Sequence, residues 1–166
     1  MEFISGDDVF HPSYGVGNIV RLEERQLAEA ETRQYYVLAF GKSTVWLPVQ
    51  AGESSRLRRI TPPRELDQYR TLLKSRPAAL DRDYKKRQQE LNVQLARGSF
   101  QVMCEVVRDL TALGWHRTMN ELDASLLKKV RTNLWQEWAA STGRPLPEAI
   151  VEVNALLQAG EQTYKS

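Results

Sequence analysis

The chain has 166 residues, enough for one medium domain or two small domains, each with a hydrophobic core. Its single cysteine, Cys104, excludes a disulfide framework and a thiolate metal site. The formal net charge is +2, but residues 1–62 carry 7 basic and 8 acidic side chains whereas residues 63–166 carry 16 and 13. A positive excess in the second part suits a polyanionic partner, and it suits a solvated helix face equally well.

The sequence has no cationic-then-apolar segment at its N-terminus and no apolar run of membrane-spanning length. We therefore expect a soluble, cytoplasmic protein.

Residues 1–60 have the pattern of a small β-sheet. Tyr35–Phe40 and Thr44–Val49 are rich in aromatic and β-branched residues, and Gly41–Ser43 between them predicts a hairpin with a three-residue connection. The polar stretch 23–34 before this hairpin is predicted to be an extended hairpin arm.

Two glycines, Gly15 and Gly17, are typical of a tight bend or a bulge at the entry of a strand. Short strands joined by glycine turns favour a strongly bent sheet or a barrel.

From Thr61 onward the apolar residues recur with a helical period. Threonine caps helices well and proline fits the first turn, so the Thr-Pro-Pro at 61–63 predicts both a linker and a helix start. Five helices are predicted. The first ends before Pro77, the second spans about 81–96 and is ended by Gly98, and the third is capped by Ser99. The fourth spans about 121–140 with an inward-facing apolar series that begins at Leu122, and the fifth is opened by Pro147 and ends before Gly160. The fold class is therefore two-domain α+β, with a small bent β-sheet or barrel at 1–61 and an all-α bundle at 62–166.

No catalytic or metal-binding constellation emerges from the sequence. The Gly-Lys-Ser at 41–43 lacks the glycine that a phosphate-binding loop requires five positions earlier, and it lies between two strands. His11 and His116 have no second ligand at metal-binding spacing. The chain is predicted to be a binding protein without enzymatic activity, metal or cofactor.

The first candidate binding residue is Trp46. If Val45 and Leu47 face the core, alternation along the strand points Trp46 outward, where an aromatic side chain on an edge strand can grip a partner. Packing of Trp46 on the second domain or on the 23–34 arm is the alternative.

The second candidate is the run Tyr84, Lys85, Lys86 and Arg87 near the start of the second helix. The three cations could neutralise phosphates while the ring stacks on, or wedges beside, a base in the minor groove. A solvated basic face with a half-buried tyrosine is the structural alternative.

A set of short motifs resembles the CarD-like family of bacterial RNA polymerase-binding transcription regulators, whose first domain also occurs in transcription-repair coupling factors. The motifs are Gly6-Asp7, His11-Pro12, Tyr14–Gly17, Tyr35–Leu38, Thr44–Val49, Leu57-Arg58, Gly98 and Glu105–Leu110. The resemblance covers most of residues 5–140. It implies a Tudor-like N-terminal domain that binds the polymerase β subunit and a helical domain that contacts promoter DNA.

The chain departs from the family pattern at two positions. Trp46 stands where the family often has an arginine that contacts polymerase, and Arg25 falls near a second basic contact of the family. Tyr84 stands where the family has a tryptophan that wedges at the upstream edge of the melted promoter, and Arg87 matches a DNA-contacting cation. The resemblance thus implies a polymerase-binding set of Arg25, Trp46, Leu47 and Pro48, and a DNA-binding set of Tyr84, Lys85, Lys86 and Arg87.

We therefore expect a monomeric regulator that binds the RNA polymerase β subunit and stabilises the promoter open complex, largely independently of sequence, at the upstream edge of the bubble. It would be associated with the nucleoid through polymerase. Two alternatives stay open: a polymerase-binding adaptor without a DNA wedge, and a stand-alone nonspecific DNA-binding protein.

Overall fold

The computed structural model describes residues 2–26, 29, 31–50 and 52–166, without the side chain of Glu53. It divides into two compact units, one extending to Ile60 and one running from Thr61 to Ser166. Thr61, placed in the first domain by its sequence, belongs to the second unit. There its backbone N–H and its hydroxyl donate hydrogen bonds to the buried carboxylate of Glu137 at 2.9 and 2.8 Å.

The first unit is a five-stranded antiparallel sheet with strand order β4-β3-β2-β1-β5. Within the described residues β4 and β5 are unpaired edges, so the sheet is open and is not a closed barrel. The strands are β1 (Asp8–His11), β2 (Gly15–Arg25), β3 (Arg33–Phe40), β4 (Ser43–Pro48) and β5 (Arg58–Arg59), with a short 3-10 helix at Gly52–Arg56 before β5.

The predicted hairpin arm is confirmed, because β2 and β3 stay paired out to Arg25 opposite Arg33. Part of its tip, residues 27, 28 and 30, lies outside the described residues. The predicted three-residue connection between β3 and β4 is wrong. Ser43 already pairs with Phe40, and Gly41, with a left-handed φ of 59°, allows the turn to close with two residues.

The two glycines of β2 serve different purposes. Gly15, at φ 85°, makes the expected bend into the strand. At Gly17 a Cβ atom would lie 2.4 Å from Cδ1 of Phe40, so the ring can pack only against glycine. The predicted bulge lies further along, where the β2–β3 register shifts between Ile19 and Arg21 and leaves Val20 as the extra residue.

The core of this unit lies on one face of the sheet and includes the side chains of Ile19, Tyr36, Leu38 and Leu47. The phenol oxygen of Tyr36 also accepts a hydrogen bond from the backbone N–H of Phe3 at 3.2 Å, which anchors the N-terminal segment.

The second unit contains the five predicted helices. They are α1 (Leu66–Leu73), preceded by a 3-10 turn at Pro63–Glu65, α2 (Tyr84–Leu95), α3 (Phe100–Leu113), α4 (Glu121–Thr142) and α5 (Leu146–Tyr164). The side chain of Ser99 caps α3 as predicted, by accepting a hydrogen bond from the Val102 N–H at 3.3 Å. No helix in the described part of the chain combines the length and apolar character needed to cross a bilayer.

Two sequence predictions for the helices are wrong. Leu122 does not face the core: its side chain is 54% exposed in the first turn of α4. Gly160 does not end α5, which continues to Tyr164. Gly160 lies inside the helix and packs against the backbone of Lys74, where a Cβ atom would lie 3.4 Å from the Lys74 Cα and O, at the near edge of ordinary van der Waals contact.

The connection between α1 and α2 is fixed by α3. Asp109 accepts hydrogen bonds from the Ala78 N–H and from Nε of Arg108, both at 2.9 Å, and Arg108 also donates to the Ser75 hydroxyl at 3.0 Å. The Arg-Asp pair of the motif at 105–110 therefore holds the segment that leads into α2.

Candidate binding surfaces

The outer face of the first unit is assembled by strand register. Arg21, Val37 and Trp46 lie opposite one another across β2, β3 and β4, so the three side chains share a face. The next row of cross-strand neighbours on this face consists of Glu23, Tyr35 and Pro48. Because the bulge at Val20 shifts the alternation by one residue, it is Arg21, Glu23 and Arg25 that face Trp46, and not Val20, Leu22 and Glu24.

Trp46 and Arg25, which are 21 positions apart, meet on this face. The Arg25 guanidinium carbon lies 5.1 Å from the centroid of the Trp46 ring, within cation–π range. Trp46 remains 38% exposed on the edge strand β4, and Arg25 lies 3.6 Å from the Glu23 carboxylate. The sequence left open whether Trp46 faces outward or packs on the arm; it does both.

The other two residues predicted for this site are placed differently. Pro48 lies on the same face as Trp46, since it pairs with Tyr35 and is half-buried. Leu47 points the opposite way and is 4% exposed within the hydrophobic core. Its side chain cannot contact a partner in this fold, because alternation along β4 assigns it to the inner face.

At the start of α2 the structure presents one aromatic and two basic side chains. Asp83 caps the helix, its carboxylate accepting a hydrogen bond from the Lys85 N–H at 3.0 Å. Tyr84 is the first helical residue and is 45% exposed, and Lys85 and Lys86 are exposed beside it. The first three members of the predicted set therefore face solvent together.

Arg87 does not share this surface, because it is 2% exposed and paired inside the unit. Its Nε and Nη2 donate to the two carboxylate oxygens of Asp123 at 3.1 and 2.6 Å, and its Nη1 donates to the backbone oxygen of Asp81 at 2.7 Å. Gln88 adds a bond to Asp123 at 2.8 Å. The guanidinium thus ties α2 to α4, and its phosphate-binding role, as implied by the sequence, does not fit this burial.

The electrostatics of the pair favour the charged forms. Burial alone would raise the pKa of Asp123, but the hydrogen bonds from Arg87 and Gln88 and the attraction of the Arg87 charge outweigh it, so its pKa lies below the ordinary range. The hydrogen bond to Asp123 is also the main cause that raises the pKa of Arg87. A buried pair with these partners positions the first turn of α2 and cannot readily exchange one partner for a phosphate.

Sequence reasoning missed Asp123 as the residue that fixes the basic segment. It lies 36 residues from Arg87, in the first turn of α4, where an acidic residue is common for reasons of helix polarity alone. No local signal distinguishes it from other acidic residues.

No group of three or more His, Cys, Asp or Glu side chains in the described ranges is arranged to hold a metal ion. The two surfaces that correspond to the predicted binding sets, one in each unit, each combine an exposed aromatic side chain with exposed cations.

Two family models match the chain, and together they cover most of it. The model described as CarD-like/TRCF RID domain matches residues 3–61, and the model described as CarD, C-terminal domain matches residues 69–154. YdeB of Bacillus subtilis (strain 168), a protein proposed to be a transcription factor, is 28% identical over 127 residues, which cover 75% of this chain and 82% of YdeB.

Proposed function

Because the chain belongs to the CarD family of transcription regulators, we propose that it binds the RNA polymerase β subunit through its sheet. We propose also that its helical unit stabilises the promoter open complex. The observation that carries the proposal is the half-exposed Tyr84 at the first position of α2, flanked by the exposed Lys85 and Lys86.

On the sheet, the proposed polymerase contact is the face that presents Trp46, Arg25 and Pro48. A large aromatic ring with a cation held over it offers apolar area and a positive charge at one place, a combination common at protein interfaces. The backbone of the edge strand β4 is a further means of engaging a partner strand. Leu47 contributes to this face only through its backbone.

On the helical unit, the proposed DNA contact is the first turn of α2. Lys85 and Lys86 would neutralise backbone phosphates near the upstream junction of duplex and bubble, and the Tyr84 ring would stack or wedge in the minor groove and impede reannealing. Contacts of this kind carry little sequence information, so binding to free DNA is weak and largely independent of sequence.

The effect on transcription follows from differential binding. A protein that binds the open complex more tightly than the closed one shifts their populations by the difference in binding free energy. A difference of about 1–2 kcal/mol changes the open fraction at a marginal promoter roughly five- to thirty-fold.

The test uses the purified protein, the host RNA polymerase and a weak promoter. We expect wild type to bind polymerase and to lengthen the lifetime of the open complex. Trp46→Ala should weaken polymerase binding, whereas Tyr84→Ala should bind polymerase normally and shorten the lifetime.

Two outcomes would redirect the assignment. Normal lifetimes with Tyr84→Ala, combined with loss of binding by Trp46→Ala, would indicate an adaptor without a wedge. Absence of polymerase binding by wild type, with salt-sensitive binding to bare duplex, would indicate a stand-alone DNA-binding protein.

A further inference from the structure

We propose that the DNA-contacting surface is composite, extending from the first turn of α2 to Arg117 in the α3–α4 connection and Leu122 in the first turn of α4. This inference rests on the proposed function and adds two contact residues to it.

Tyr84 lies on the side of α2 that faces α4. Residues three and four apart share a face of a helix, so Tyr84 lies on the same face as Arg87 and Gln88. Both of these residues bond Asp123, at 2.6 to 3.1 Å, so that face of α2 is turned toward the first turn of α4. Because helical side chains incline toward the N-terminus, the Tyr84 ring projects beyond this junction and stays exposed.

The first turn of α4 carries an exposed apolar side chain, Leu122. Leu122 precedes Asp123 directly, and it is 54% exposed although its sequence pattern predicts burial. Exposed leucines are ordinary when isolated, but this one lies in the same turn as Asp123, which anchors the Tyr84 face. Apolar side chains such as leucine are the residues that proteins insert or press against unstacked base steps in the minor groove.

The α3–α4 connection adds a positive charge, that of Arg117. Arg117 is exposed and lies three residues before Asn120, the cap of α4, whose side chain accepts a hydrogen bond from the Asp123 N–H at 2.8 Å. The α3–α4 connection therefore holds Arg117 near the same junction, and its positive charge contributes to lowering the pKa of Asp123. The Asp123 carboxylate is already paired with Arg87 through two hydrogen bonds, so Arg117 keeps its charge available to a phosphate. Arg117, Lys85 and Lys86 then flank the two exposed apolar side chains, which matches a polyanion with exposed base faces.

The Arg87–Asp123 pair gives the composite surface its rigidity. The pair is buried, and Arg87 also holds the backbone oxygen of Asp81 just before α2. Arg87 and Asp123 are therefore positioning residues that fix the spacing between Tyr84 and Leu122 without touching DNA.

The test measures binding of the full chain to a duplex with a non-complementary internal segment, as a function of salt concentration. For Arg117→Ala, the negative slope of log K, where K is the DNA association constant, against log[salt] should become shallower by about 0.9, the value for one phosphate contact. Leu122→Ala should leave the slope unchanged and weaken binding on the order of three- to fivefold, because only apolar contact is lost.

Matched controls are available in the same unit. Arg97→Ala removes an exposed cation beyond the far end of α2, about 18 Å from its first turn, since the helix has 12 residues. Val151→Ala removes a 70% exposed apolar side chain from α5. Both controls should bind like wild type.

The proposal fails if either Arg117→Ala or Leu122→Ala binds like its control while Tyr84→Ala and Lys85→Ala lose affinity; in that case the surface is confined to α2 and the proposed function stands. If Tyr84→Ala and Lys85→Ala also bind like wild type, both the composite surface and the DNA-contacting role of the helical unit are contradicted.

Discussion

Arg25 and Arg87 are both cations that the sequence assigned to partner contacts, and the two units use them in opposite ways. Arg25 lies over the partly exposed Trp46 ring on the outer face of the sheet. Arg87 is buried and bonds both carboxylate oxygens of Asp123.

A run of consecutive basic residues therefore does not reveal which of them are buried in structural pairs and which are exposed to a partner. Lys85, Lys86 and Arg87 are consecutive, yet only the two lysines face solvent. Arginine is the residue suited to bidentate pairing with a carboxylate, whereas lysine is a strongly hydrated point charge that stays at the surface.

The largest effect should come from breaking the internal pair. Arg87→Ala leaves the Asp123 carboxylate buried without its main partner, and we expect the helical unit to lose about 3–5 kcal/mol of unfolding free energy. Urea unfolding followed by helical circular dichroism measures the loss. Lys85→Ala, one of its exposed neighbours, should change stability by no more than about 0.5 kcal/mol. Equal stability of the two variants would mean that Arg87 is not internal.

The next effect concerns the exposed face of the sheet. Trp46→Ala should weaken polymerase binding by about 2 kcal/mol, roughly thirtyfold, as expected for an aromatic interface anchor. Leu22→Ala, which removes an exposed apolar side chain from the opposite face, is the matched control and should bind normally. A similar loss with both variants, measured by titration against polymerase, would mean that the Trp46 face is not the contact.

The internal pair should also be visible as a pH dependence. The pKa of Asp123 is depressed in the folded state, so its contribution to stability is fully present above the unfolded value of about 3.9 and is lost as pH falls through the folded value. The stability difference between wild type and Asp123→Asn, measured by urea unfolding, should therefore shrink as pH is lowered from 7 toward 3. A constant difference would contradict the assignment.

The smallest effect should come from Arg25. Removing the cation over Trp46 costs about 0.5–1 kcal/mol if the pair acts as one contact. A double-mutant cycle with Arg25→Ala and Trp46→Ala should show that the losses in polymerase binding are less than additive. Additive losses would show that the two side chains contact polymerase independently.

Much of the fold could be predicted because the signals are local. The β3–β4 hairpin, the cap at Ser99 and a helix start near Pro147 depend on neighbouring residues. All three occur in the structure, although the hairpin turn is one residue shorter than predicted and the helix begins one residue earlier, at Leu146. The order of the short motifs along the chain was sufficient to identify the family to which it belongs.

The remaining features depend on contacts between distant residues. The bulge at Val20 is set by pairing with β3, and it decides which side chains of β2 meet Trp46. The burial of Arg87 depends on a partner 36 positions away. Leu122 fits the apolar period of α4, but it lies in the first turn of the helix and remains exposed.

In the proposed function, Tyr84 acts as an aromatic wedge whose helix is held in place by the buried Arg87. The most direct test of this role is the lifetime of the open complex at saturating concentrations of wild type, Tyr84→Ala, Tyr84→Phe and Tyr84→Trp. The account predicts that the lifetime follows ring area, shortest with alanine, similar for phenylalanine and tyrosine, and longest with tryptophan. Equal lifetimes for all four proteins, with polymerase binding intact, would contradict it.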